Sequence, residues 1–418
     1  MTAATLPSAP ARTPDVPISF ARFARVADRN FLLLLLAAYA LAVVAPAAGC
    51  WLCGRAVGEV AVGGSAVRVT VPVLLLAVLL WNAGLGTSAG QLWHLARRPW
   101  VLAAGLAMNL VAPVLFIACL AGVLRAWSDP GDLSALLAGL GVVAAMPIAG
   151  SATAWSKKAD GDTALSLGLV LGSTLLGPVT TPVVLYAVSR VLGGDDGAAL
   201  GGLAGGGSGA FLLVAVLAPT AAGLLTRRLA PGLPGRHAAA LKLLNAVVLL
   251  ALVYAGASAA LDATLGKTSP EFLAAVLGVA VSFCAAAFAA GWLVGVLTGA
   301  TAGERTALLF GLGMSNNGSG LALAATALAG RPQVLLLIAG YNLVQHLVAG
   351  GVDAARGRPA AGGPARPGRG RGGRWSGPCC RTGSSWPPGR WWRPRAARTT
   401  ASAGWPTPTG RWSTRTRC

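Results

Sequence analysis

Residues 144–158 read AAMPIAGSATAWSKK, and residues 308–330 read LLFGLGMSNNGSGLALAATALAG. Each is an apolar run interrupted at its middle. The first carries Pro147 and Gly150, followed by Ser151, Thr153 and Ser156; the second sets Gly311, Gly313, Gly318 and Gly320 around Ser315, Asn316 and Asn317. Proline deletes a helical hydrogen bond and clustered glycine weakens the helix around it. The chain around these interruptions is a membrane chain. Of its 418 residues 55% are hydrophobic and 11% charged, with a mean hydropathy of +0.66, where a soluble domain carries about 25% charged residues. Runs such as FLLLLLAAYALAVVAPAA from Phe31 and VLLLAVLLWNAGLG from Val73 suit a bilayer core. They are too numerous for a signal peptide or a single anchor.

Apolar stretches between charged or Pro/Gly/Asp breaks fall near residues 31–48, 70–88, 99–124, 134–155, 163–189, 209–228, 238–261, 271–299, 305–329 and 332–350. The expectation is an all-α polytopic membrane protein of ten transmembrane helices. The two interrupted stretches are the fourth and the ninth, hence the fourth of each half. Freed backbone at membrane depth is tolerated only where protein or a watery cavity re-satisfies it. Broken helices at equivalent places therefore predict two five-helix inverted repeats, with the breaks crossing at the midplane as in a secondary transporter.

Three segments are expected: a cytoplasmic lead over residues 1–30, a ten-helix body over 31–353 and a tail over 354–418. The net charge of +20 divides unevenly among them. Residues 1–353 hold 19 Lys and Arg and all 13 Asp and Glu, whereas the tail holds 14 Arg and no acidic residue. One set of connections carries 13 basic residues (Arg12, Arg22, Arg25, Arg29, Arg97, Arg98, Lys157, Lys158, Arg227, Arg228, Arg236, Lys242 and Arg305). The other carries six: Arg55, Arg68, Arg125, Arg190, Lys267 and Arg331. The positive-inside bias puts both termini in the cytoplasm of a multi-pass cell-membrane protein.

The tail uses only Ala, Arg, Gly, Pro, Trp, Ser, Cys and Thr. Every codon for these eight has G or C at its second position, the alphabet that a GC-rich gene yields when read out of frame. A genuine Arg/Gly-rich arm for RNA or anionic lipid would share the arginines, but would not lose Leu, Asp and Lys together. The tail is therefore read as a frame-shifted, disordered, non-native segment. No nucleic-acid partner is expected.

The body resembles the bile acid:sodium symporter family over about residues 30–353. The resemblance is carried by MPIAGSATAWSKKADGDTALSLGLVLGSTLLGPVTTP (146–182), by GLGMSNNGSGLALA (311–324) with YNLVQHLVAG (341–350), and by Arg98-Pro99 at the start of the third stretch. It implies ten helices in a four-helix panel and a six-helix core. Substrate and ions would bind where the fourth and ninth helices cross. The sequence also departs from the family. Counting from Pro147 to Gly161-Asp162, the family's Ser-Asn pair falls on Ala152-Thr153. In the ninth-helix pattern Glu-x-Gly-x-Gln-Asn, the Glu falls on Gly311 and the Gln on Ser315. The site loses its carboxylate and two amide oxygens, so weak or absent sodium dependence is expected. The arsenite-extruding branch has a Cys after the fourth-helix Pro; here Ile148 stands there, against that branch.

The candidate substrate-binding residues are Gly150, Ser151, Asn316, Asn317, Asn342 and His346; the candidate ion-binding residues are Thr153, Ser166, Ser315 and Asn316. For Ser315, Asn316 and Asn317 the bland alternative is a loop at a misplaced span end, which the apolar flanks oppose. Ser151, Thr153 and Ser166 could equally back-bond within their own helices. Asn342, Gln345 and His346 share a helix face by spacing, which suits a cavity or interhelical packing alike. His346 is the one titratable group deep in a core span and so the one residue placed for proton coupling. Asn109 with Pro113 reads as structural.

Cys50-Trp51-Leu52-Cys53 has CxxC spacing, but no second Cys or His pair accompanies it for zinc; a disulfide on the outer face is the remaining option. No triad, phosphate loop or HExxH motif occurs, so no enzyme and no cofactor are expected, a sodium ion aside. The function read from the sequence is alternating-access transport of a small organic solute, an organic anion by preference, within a lipid bilayer. The alternative is a membrane-embedded receptor or scaffold that keeps the fold without flux.

Overall fold

The structure is a computed structural model that describes residues 30–87, 99–124, 130–264, 269–328 and 330–357. The N-terminal lead, Arg97, Arg98, Arg125 and Lys267 of the charge count, and the tail from residue 358 lie outside the described residues. The chain divides into a unit Met1–Ala360 and a unit Ala361–Cys418, the second wholly outside them.

The first stretch is bent rather than straight. Helix α1 (Phe31–Val44) turns by 91° into α2 (Pro46–Gly54). Pro46 has no N–H to continue the ladder, and at the turn the Ala45 carbonyl accepts from the Tyr254 hydroxyl at 2.5 Å. A two-stranded antiparallel hairpin follows, β1 (Ala56–Val62) and β2 (Ser65–Thr70), turning at Gly63 and Gly64, both at positive φ. It is the one interruption by strand among the described residues, in stretches whose short alternation the apolar-run reading passes over. Then come α3 (Val71–Gly86), α4 (Pro99–Leu124), α5 (Pro130–Ala145), α6 (Ser151–Lys158) and α7 (Thr163–Leu192). A helix absent from the sequence expectation, α8 (Gly194–Gly206), covers the glycine-rich connection that leads to α9 (Ser208–Leu229). After the short α10 (Leu233–Arg236) follow α11 (Ala238–Thr264), α12 (Pro270–Leu297), α13 (Ala302–Gly313), α14 (Asn317–Ala327) and α15 (Pro332–Gly357).

Six of these helices are long and apolar enough to cross a membrane, beginning at Pro99, Thr163, Ser208, Ala238, Pro270 and Pro332, and the bent α1–α2 pair adds a seventh. The remaining predicted stretches are also helical but shorter. The second has 16 residues, while the fourth and ninth are split into α5/α6 and α13/α14. The chain is thus a multi-pass membrane protein built from apolar helices. Helices α1–α3, α9 and α11 pack on one another, and α4, α5, α7, α12, α13 and α15 pack in a second group. In the first group α3 and α9 approach so closely that a Cβ on Gly84 would stand 2.3 Å from the Thr220 carbonyl oxygen.

Candidate functional site

The two interruptions meet. Ile148, between α5 and α6, pairs with Ser315, between α13 and α14, as an isolated antiparallel bridge. Ala149 N–H donates to the Met314 carbonyl at 2.9 Å, and Asn316 N–H donates to the Pro147 carbonyl at 2.8 Å. Each break thereby supplies the partners that the other lost, as burial of a polar backbone demands. Neighbouring side chains complete the account. Ser173 Oγ accepts from Ile148 N–H at 3.0 Å, and the Thr181 hydroxyl donates to the Ala145 carbonyl at 2.6 Å.

Helices α6 and α14 both begin within three residues of this bridge, so their amide ends lie beside it. The two ends differ. The Asn316 side chain caps α14 by accepting from Ser319 N–H at 3.3 Å. The N-cap of α6 is Gly150, which offers no side-chain cap; it is exposed, and a Cβ there would meet nothing within 4 Å. At its far end α6 is anchored by Lys158, whose Nζ lies 2.7 Å from Asp353 Oδ2 on α15.

The sequence candidates fall into three places. Thr153 and Ser166 come together, the Ser166 hydroxyl donating to Thr153 Oγ1 at 3.2 Å. Ser151, Ser315 and Asn316 are half-buried at the breaks, while Asn317 is 1% exposed and neither polar atom of its side chain has a hydrogen-bond partner. His346 and Asn342 part company. The His346 ring meets Phe31 edge-on, centroids 5.4 Å apart, with Nδ1 unbonded. Asn342 Nδ2 donates to the Tyr39 hydroxyl at 3.2 Å, and Tyr39 donates to the Ala339 carbonyl at 2.7 Å.

Between Asn342 and the breaks stands Gln345, which the candidate set omits. Its Oε1 accepts from Ser315 N–H at 3.1 Å and its Nε2 donates to the Ser315 carbonyl at 3.2 Å. Its spacing from Asn342 was the available signal, since a buried amide in a membrane helix demands partners. Asn109, read as structural, lines a crevice beside the first break with Leu106, Met146, Pro147, Ser173 and Thr180.

Two carboxylates on the helices around the breaks serve as caps. Glu304 sits in the first turn of α13, in a reciprocal cap with Thr301, and Asp162 caps α7 by accepting from Leu165 N–H at 2.8 Å. At Gly311, where the resemblance places a glutamate, a Cβ would stand 2.8 Å from Leu169 Cδ1. Leucine fills the space that a carboxylate would use. Among the described residues no group of three or more His, Cys, Asp and Glu is placed to hold a metal ion. Cys50 and Cys53 are free thiols, and Cys53 donates to the Ala255 carbonyl at 3.2 Å.

No curated protein matches the chain. A family model does, over a stretch that takes in the first break, the Thr163–Leu192 helix and the helices up to α11, and that ends before the second break. That match, over residues 73–267, bears out the resemblance read from the sequence: over this stretch the chain is similar to the Sodium Bile acid symporter family, a family of membrane transporters and not of enzymes.

Proposed function

We propose that the protein carries a small organic anion across the cell membrane by alternating access, with both termini in the cytoplasm. The observation that carries this reading is the exposed start of α6 at Gly150, which no side chain caps, set beside the amide end of α14 by the Ile148–Ser315 bridge. Helix N-termini carry partial positive charge and unpaired N–H groups, which suit a carboxylate or sulfate. Gly150, Ser151, Asn316 and Asn317 contact the solute in this reading, with Asn342 and His346 behind them on α15. The two helix groups would rock against each other as panel and core of a ten-helix inverted repeat.

Thr153, Ser166, Ser315 and Asn316 are the groups to hold a coupling cation. The Thr153–Ser166 contact supports this assignment, and hydroxyl oxygens suit sodium. With Leu169 against Gly311 the carboxylate that the resemblance places there has neither a residue nor room, so sodium binds weakly and coupling to it is weak or absent. His346 is then the residue for proton coupling. The tail after Asp353 is proposed to be out of frame; resequencing that finds an intact frame would end that idea.

The deciding measurement is uptake of a bile acid such as taurocholate into proteoliposomes, with sodium replaced by potassium or choline at fixed pH and voltage. Uptake with little sodium dependence is expected. Steep, saturable sodium dependence would show that hydroxyls and carbonyls suffice without the carboxylate. Binding without flux under any gradient would favour a receptor.

A further inference from the structure

The bridge between the two breaks is one residue pair wide. Its inner edge is closed by the Ala149–Met314 and Asn316–Pro147 hydrogen bonds. On the outer edge the N–H and C=O of Ser315 point away from Ile148, where a wider sheet would supply another strand. Gln345 engages both, its oxygen accepting from the N–H at 3.1 Å and its NH2 donating to the carbonyl at 3.2 Å, while the carbonyl also accepts from Asn317 N–H at 2.9 Å. A primary amide presents one acceptor and one donor side by side, as a peptide group does. We propose that Gln345 is a positioning residue that stands in for this strand, fixing the Ser315 peptide planes and so aiming Asn316 and the amide end of α14 at the solute. The inference rests on the solute site proposed at the breaks.

The amide cannot serve equally well turned over. A flip would set NH2 against the Ser315 N–H and oxygen against its carbonyl. The second Nε2 hydrogen is directed to Asn342 Oδ1 at 3.4 Å, and Asn342 is itself oriented by Tyr39. Tyr39 lies on α1, so the orientation of the second break is set from the other helix group. Gln345 is 1% exposed, so its own amide has no bulk water to bond in place of Ser315. A side chain retained only to fill volume would account for the burial and leave the paired contacts unexplained.

The test uses the full chain in lipid nanodiscs without solute, and reads backbone hydrogen exchange over residues 312–318. In Gln345→Met, which keeps the length and loses the polar groups, Ser315 N–H is expected to exchange about tenfold faster than in the parent. Gln345→Glu still offers an oxygen to that N–H and is expected to keep protection within about threefold. Exchange across α11 remains unchanged in both, which separates the local effect from unfolding. Should Gln345→Met fail to fold, Gln345→Asn, one methylene short, is expected to lose the same protection. Protection kept in Gln345→Met or Gln345→Asn, or lost in Gln345→Glu with α11 intact, overturns the proposal. Exchange is read with no solute present, so absence of taurocholate flux counts against the transport reading alone.

Discussion

Placing a carboxylate at Gly311 tests both the packing and the ion reading. Gly311→Glu alone drives its Cβ to 2.8 Å from Leu169 Cδ1, and Leu169 is fully buried. Overpacking of this kind costs about 1–3 kcal/mol, before any cost of an unpaired buried charge. Adding Leu169→Ala opens the needed volume. Leu169 lies one turn beyond Ser166 on α7, so the new carboxylate would face the Thr153–Ser166 hydroxyls. A carboxylate and a sodium ion about 4 Å apart attract by about 4 kcal/mol at an effective dielectric of about 20. If half of that survives desolvation, sodium binds about 30-fold tighter. The assay is thermal unfolding of the purified protein in sodium chloride against equal potassium chloride. Sodium at ten times its dissociation constant adds about 1.4 kcal/mol of stability. The parent should unfold alike in both salts, Gly311→Glu should be less stable than the parent, and the double variant should gain a sodium-specific shift. A double variant blind to sodium, or a single variant as stable as the parent, would refute the reasoning.

Asn316→Ala and Thr153→Ala should each impair taurocholate uptake while leaving the protein folded and inserted; near-normal flux in both would move the site elsewhere. Ser173→Ala strips the partner from Ile148 N–H and should cost about 1–3 kcal/mol, read by denaturation in mixed micelles. Gly84→Ala should cost more than about 1 kcal/mol, because the added methyl meets the Thr220 backbone oxygen, which cannot swing aside; an unchanged melting temperature would mean that α3 and α9 can part freely.

The broken helices were legible because proline and glycine act locally: Pro147 and the glycines around Ser315 mark the ends of α5 and α13 without tertiary information. That Ile148 opposes Ser315 was not legible, since a single bridge between distant residues leaves no periodic trace. The 91° turn at Pro46 was hidden because the residues on both sides are uniformly apolar. The hairpin and α8 lie in connections that a search for long apolar runs discards. Thr153 was named by counting from Pro147 and Ser166 only as a polar residue of the following span, and the two do touch. Gln345 was visible only as a polar residue sharing a face with Asn342; that it binds peptide groups rather than solute or a neighbouring side chain needed coordinates.

The crossed hydrogen bonds of the breaks also bear on how such a chain is made. Synthesis delivers Pro147 and Ala149 long before Met314 and Asn316, yet these four residues satisfy one another. Until the second half emerges, the Pro147 carbonyl and the Ala149 N–H lack their final partners, and in hydrocarbon each open group costs several kcal/mol. The α5–α6 segment therefore cannot settle into lipid when it leaves the ribosome. It has to wait at a wet surface, in water or beside the insertion machinery, until Met314 and Asn316 arrive. A nascent chain that stops short of residue 314 keeps that wound open, which gives membrane quality control a feature by which to tell an unfinished copy from a finished one.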